Sequence, residues 1–207
     1  MANTDKPFGF KPLRHKNGAP YNGATRPYYI SASYGTALYV GDPVVIMSTG
    51  SNSAQVGEYP AGTLQRINRA TAGSSNYVTG VIVGFEPLRT DLSKQYNPAS
   101  TERVAYVADD PDLVFIGQED SASDNILAAD IGLNANIVFT HAGSTVTGLS
   151  KAEIDSSSNT TNSTAQLKIL GLHNTPGNEI ASTGTTAQYG VFEFMINLHT
   201  QRYASGI

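Results

Sequence analysis

The chain has 207 residues, of which 40% are hydrophobic and 14% charged, with no cysteine and a net charge of −4. This length suits one β-domain or two small ones and can bury a substantial core. The absence of cysteine excludes disulfides, thiolate metal sites and a cysteine nucleophile. The charged fraction lies well below the usual ~25%, so Ser, Thr, Asn and Gly supply the polarity, which favours strands and turns over helices.

The first 26 residues carry five cations, Lys6, Lys11, Arg14, Lys16 and Arg26, against Asp5 alone. The remaining chain has eight basic and sixteen acidic residues. This leader shows neither helical nor strand periodicity, yet it is too rich in aromatics for an ordinary disordered tail. Residues 1–26 are therefore expected to form an extended arm that packs on a neighbouring molecule, with 27–207 as the β-rich body, one unit or two small ones. Phe8, Phe10, Tyr21, Tyr28 and Tyr29 are its expected apolar anchors, and Arg14 and Arg26 suit bidentate contacts to carboxylates. Deleting Met1–Pro20 should then leave a folded body that has lost its partner.

Strands are expected near Tyr28–Ser31 and over Ala37–Met47, with a turn or bulge at Gly41-Asp42-Pro43. The LQRINRA segment reads equally as a short strand or one helical turn. Asn76–Pro87 is a nearly continuous apolar run, which predicts a strand buried on both faces. Leu88–Ser100 reads as a loop. Glu102–Asp120 reads as a hairpin turning at Asp109–Asp112, where Pro fixes φ and Asp side chains bond the local backbone. Asn136–Phe139 is a further strand, and the SSSNTTNST run over 156–164 reads as a low-complexity surface loop. Strands at Ala165–His173 and Gln188–His199 complete the chain. The predicted fold is all-β, an antiparallel barrel or sandwich with an extended N-terminal arm.

No catalytic residue, cofactor site or metal site emerges. The four histidines, His15, His141, His173 and His199, share no metal-ligand spacing, and His199 reads as a surface or interface residue. Asp109, Asp110, Asp112, Glu119, Asp120 and Asp124 offer hard oxygen ligands for Ca²⁺, without the order of an EF-hand loop, so the Asp109–Asp112 turn reads foremost as solvated. No phosphate-binding loop, dinucleotide fingerprint or nucleophile elbow is present. The acidic body disfavours nucleic acid. No apolar run approaches ~18 residues and none resembles a signal peptide, so a soluble protein made in a cytoplasm is expected, with no membrane partner.

The segments PFGFKPLRHKNGAPYNGATRPYYI, GTALYVGDPVVI, VTGVIVGFEP, YVADDPDLVFIGQED, NANIVFTHAGSTVTGLSKAEID and LKILGLHNTPGNEI together resemble the capsid decoration (cement) proteins of tailed bacteriophages. The resemblance implies an all-β virion protein on the outer capsid surface, made in the bacterial host cytoplasm. It implies the phage major capsid protein and further copies of the chain, as a homotrimer, for partners, and no catalytic residues. The alternative is a receptor- or glycan-binding β-module of a head or tail fibre, which would need an exposed aromatic platform from Tyr34, Tyr39, Tyr59 and Tyr96.

Overall fold

The computed structural model describes residues 3–121, 124–180 and 188–202. Among these residues, eleven strands run in chain order: β1 (Lys11–His15), β2 (Arg26–Ile30), β3 (Pro43–Ser51), β4 (Gln65–Arg69), β5 (Gly80–Phe85), β6 (Arg103–Ala108), β7 (Leu113–Gln118), β8 (Asn134–Val138), β9 (Glu153–Thr160), β10 (Leu167–Leu172) and β11 (Val191–Ile196). The only helical pieces among the described residues are two 3₁₀ turns, Ala128–Asp130 and Thr200–Arg202. The all-β expectation holds. Among the described residues, no helix is long and apolar enough to cross a membrane.

The strands divide into two units. β2-β4-β3-β5-β6 close a barrel, antiparallel throughout but for the β2–β4 contact at Tyr29 and Arg66. The second unit is a six-stranded sheet in the order β1-β7-β11-β10-β8-β9. This sheet curls strongly. Past the end of β7, Glu119 bridges Ile154 of β9, and Asp120 N–H donates to the Ile154 carbonyl at 3.0 Å. Curling pairs edges that would otherwise present free N–H and C=O groups.

Alternation along β5 and β6 explains why the two units adhere. Ile82 of β5, with Ala105 and Val107 of β6, fills the barrel beside Tyr28, Ile30, Leu38, Val44, Ile46 and Ile67. Val81 and Ala108 point the other way, into the core of the curled sheet, with Leu113, Phe115, Ile137, Ile154, Phe192 and Phe194. Side chains alternate across a strand, so one strand feeds both cores. That is the physical content of the continuous apolar run at Asn76–Pro87, although the strand itself is shorter, Gly80–Phe85.

Several expectations are corrected. Glu102–Asp120 is not a hairpin. β6 pairs with β2 and β5 in the barrel, while β7 pairs with β1 and β11 in the sheet. The Asp109–Asp112 turn therefore carries the chain from one unit to the other. The Ser-rich run is no surface loop for most of its length, because β9 extends to Thr160. Ser156 is buried there, and its N–H and hydroxyl both donate to Asp120 Oδ1, at 3.0 and 2.7 Å. A buried hydroxyl with a hydrogen-bond partner lets a polar sequence sit in a sheet. The first half of Ala37–Met47 is not strand either. Leu38 and Val40 make single bridges to Asn97 and Leu149, and β3 starts only after the Gly41 turn.

The leader is the largest correction. β1 lies antiparallel to β7, from Lys11 opposite Ile116 to His15 opposite Leu113. Ahead of it, Gln118 holds the backbone of Thr4 and Lys6, accepting from Lys6 N–H and donating to the Thr4 carbonyl, each at 3.0 Å. Phe10 N–H donates to the Gly41 carbonyl at 2.9 Å. This crossing needs glycine on both chains: Gly9 has φ +73° and Gly41 φ +95°, and a Cβ on Gly9 would meet the Ser150 Cβ at 2.6 Å. The leader is thus a structural part of its own subunit. The division at residue 26 does not describe the fold.

Candidate functional site

The seven leader residues expected to bind a partner do not converge on one surface. Phe10 is 1% exposed and sits in the sheet core, and Tyr28 is buried inside the barrel. The Tyr28 hydroxyl donates to Asp109 Oδ2 at 2.6 Å, and burial followed by that bond raises its phenol well above the ordinary value. Neither ring has surface to offer a neighbour, so the expectation that they find shelter outside the subunit is overturned. Aromatic and apolar content alone cannot tell intramolecular burial from an intermolecular anchor, which is why the sequence misled.

The other five are partly committed to the chain as well. Arg14 Nη1 donates to Glu193 Oε2 at 2.5 Å, and the other oxygen of Glu193 lies 3.1 Å from His173 Nδ1. The Tyr21 hydroxyl donates to the Ala24 carbonyl at 3.1 Å, and that of Tyr29 to Glu102 Oε1 at 2.9 Å. Phe8 is half-buried, with Lys11 Nζ 4.6 Å from its ring centroid. Arg26 is largely exposed, 3.6 Å from Asp109.

What remains outside is cationic and backbone-rich. Lys6, Lys11, Lys16 and Arg26 are exposed, as are Asn17–Pro20 and Asn22–Ala24. The turn after β1 folds back over that strand's outer edge: His15 N–H donates to the Ala19 carbonyl at 2.8 Å, and Arg14 bridges Pro20. Lys16 N–H is fixed on the Asp112 carbonyl at 2.7 Å. These cations stand on ordered backbone rather than on a free tail.

The acidic group does not gather into a Ca²⁺ loop. Asp109 takes the Tyr28 hydroxyl and the Gln201 amide, Asp112 takes Arg202, Glu119 takes the Ile126 and Gly190 N–H groups, and Asp120 takes Ser156. His199, expected at the surface, is fully buried where Val78 bridges it. Gln201 N–H donates to its Nδ1 at 3.1 Å, so Nε2 carries the proton of the neutral ring. Burial, then the charge of Arg202, pushes its pKa down to about 4. Burial likewise raises Asp42 to about 6 and Glu119 to about 7, against the hydrogen bonds each accepts.

The four tyrosines of the alternative platform do not make an open plate. Tyr39 is buried and stacks on Tyr96 with centroids 5.2 Å apart. Gly143 closes over Tyr39, where any Cβ would lie 2.2 Å from the ring. The Tyr34 hydroxyl accepts from Arg69 N–H at 3.2 Å. No protein-family model, curated protein or solved structure matches this chain.

Proposed function

We propose that the chain is a structural protein of a tailed-phage virion, which decorates the outer capsid surface and cements adjacent major capsid subunits as a homotrimer, without catalysis. The observation that carries this reading is the set of exposed leader cations, Lys6, Lys11, Lys16 and Arg26, on ordered backbone beside a net acidic body. A pre-ordered cationic edge loses little conformational freedom when it docks on an acidic surface. Opposite charge speeds and orients that encounter, and three linked copies multiply a weak contact through effective concentration. The mechanism differs from an arm reaching across to a neighbour, because the aromatic anchors serve the subunit itself.

Decoration of bare capsids by the purified protein tests the reading, with bound protein counted by sedimentation and quantitative mass spectrometry. The double variant Lys11→Glu/Lys16→Glu changes two exposed side chains and should keep the thermal midpoint while losing capsid binding. A particle copy number of a few tens or fewer would point instead to a fibre component. Undiminished decoration by the charge-reversed variant would remove the electrostatic basis.

A further inference from the structure

We propose that Asp5, His141 and Glu153 form a binding site for one divalent transition-metal ion, with Zn²⁺ as the reference case. The three residues are remote in sequence, and the fold brings them together. Their candidate ligand atoms all lie within 4.8 Å of one another. His141 Nδ1 is 3.4 Å from Glu153 Oε2. Ligands of a tetrahedral Zn²⁺ with bonds of ~2.05 Å stand roughly 3.3 Å apart, so this pair already has the separation of two neighbouring ligands.

Each member is suited to the task. Glu153, the first residue of β9, is 1% exposed, and its Oε2 accepts from the Thr140 hydroxyl. That hydroxyl also lies 2.9 Å from His141 Nδ1 and, with its one proton given to Glu153, accepts there, so an ion bound at Nδ1 takes the place of the Nδ1 proton, which is released. The Asp5 carboxylate makes no hydrogen bond or ion pair among the described residues. An entry path exists: a cleft of about 420 Å³ is lined by Asp5, Lys6, His141, Ser150 and Lys151. One imidazole nitrogen with two carboxylates suits Zn²⁺ or Mn²⁺, whereas Ca²⁺ prefers oxygen donors alone. The consequence is mechanical, because the ion would fasten Asp5 of the leader to the β8–β9 connection. This inference is independent of the capsid reading.

The test uses the full chain stripped with chelator, titrated with ZnCl₂ by calorimetry and followed by thermal melting. One ion per chain and a raised melting temperature are expected, and Co²⁺ should give visible absorption bands of a bound ion. Asp5→Ala and His141→Ala alter exposed residues. Each should weaken binding more than ~10-fold while leaving the ion-free melting temperature in place. Absence of stoichiometric binding, tighter binding of Ca²⁺ than of Zn²⁺, or unchanged affinity in the double variant would each overturn the assignment. The last outcome would place the ion at another histidine, such as His15 beside Asp110 or His173 beside Glu193.

Discussion

Phe10 meets Phe194 edge to face, with ring centroids 4.7 Å apart and planes inclined at 66°. Phe115 stacks on Phe194 at 6.0 Å. One ring from the leader thus completes an aromatic group whose other members come from β7 and β11. Gly117 makes the space, since a Cβ there would lie 2.6 Å from Phe10 Cδ1 and 3.1 Å from Phe194 Cε1. Phe10→Ala should cost about 3–5 kcal/mol, from lost burial and the cavity left behind. Gly117→Ala should cost about 1–3 kcal/mol by overpacking the same spot. Urea unfolding of both variants checks the pair. A Phe10 variant as stable as the parent would mean that the ring is not part of this core.

Removal of residues 1–20 now has a different expected outcome from the one that the composition of the leader suggests. The truncation strips β1 from β7, opens the Phe10 site and frees Gln118 from its two backbone partners. The shortened chain should lose cooperative unfolding or precipitate, because an edge strand of mostly apolar residues is left bare. Circular dichroism melting and size-exclusion chromatography read this directly. A monodisperse, cooperatively melting product would show that the barrel and the rest of the sheet stand without the leader.

Arg103 is a buried cation held by carbonyls alone. Its Nε donates to Glu86 O at 2.6 Å, Nη1 to Tyr96 O at 2.7 Å and Nη2 to Lys94 O at 3.1 Å, with the guanidinium 5.0 Å from the Phe85 ring centroid. This fork pins the 86–96 loop to the barrel, and five fixed donors suit the role as a lysine cannot. Arg103→Met leaves three carbonyls without their donor and should cost about 3 kcal/mol. Protease cleavage should appear first within 88–95, where the loop is no longer tied. Loss of stability spread evenly, without early loop cleavage, would contradict the pinning role.

The fold class was legible because it rests on local chemistry. Tyr, Val and Ile runs between Gly, Pro and Asp units placed β2 and β10 close to their observed limits and enclosed β5 and β11 within longer runs. Pairing was not legible. Asp109–Asp112 has the composition of a hairpin turn, and nothing local says that β6 and β7 take partners in different sheets. The Ser-rich β9 was hidden because its support comes from Asp120, far away in the chain. The candidate site suffered in the same way. Phe10 and Tyr28 look alike as anchors whether their cavity belongs to the same chain or to another, and Asp5, His141 and Glu153 have no spacing to betray them.

Buried titrating groups pull stability in opposite directions with pH. Asp42 and Glu119 have folded values of about 6 and about 7, above those of free carboxyls, chiefly through burial. The folded state holds their protons more tightly, so their contribution is complete below pH ~4 and is lost as pH rises to ~7. His199 runs the other way. Its folded value of about 4 lies below 6.5, so unfolding takes up a proton in that interval and stability grows with pH. Each group can contribute at most about 1.4 kcal/mol per pH unit. The wild-type profile should therefore fall gently from pH 4.5 to 6. His199→Gln keeps an acceptor for Gln201 N–H but removes the titration, and should fall more steeply. Subtracting the variant's unfolding free energy from the wild type's isolates the histidine. That difference should climb between pH 4.5 and 6.5 and level off above 7. A flat or descending difference would mean that the ring is not held neutral by burial.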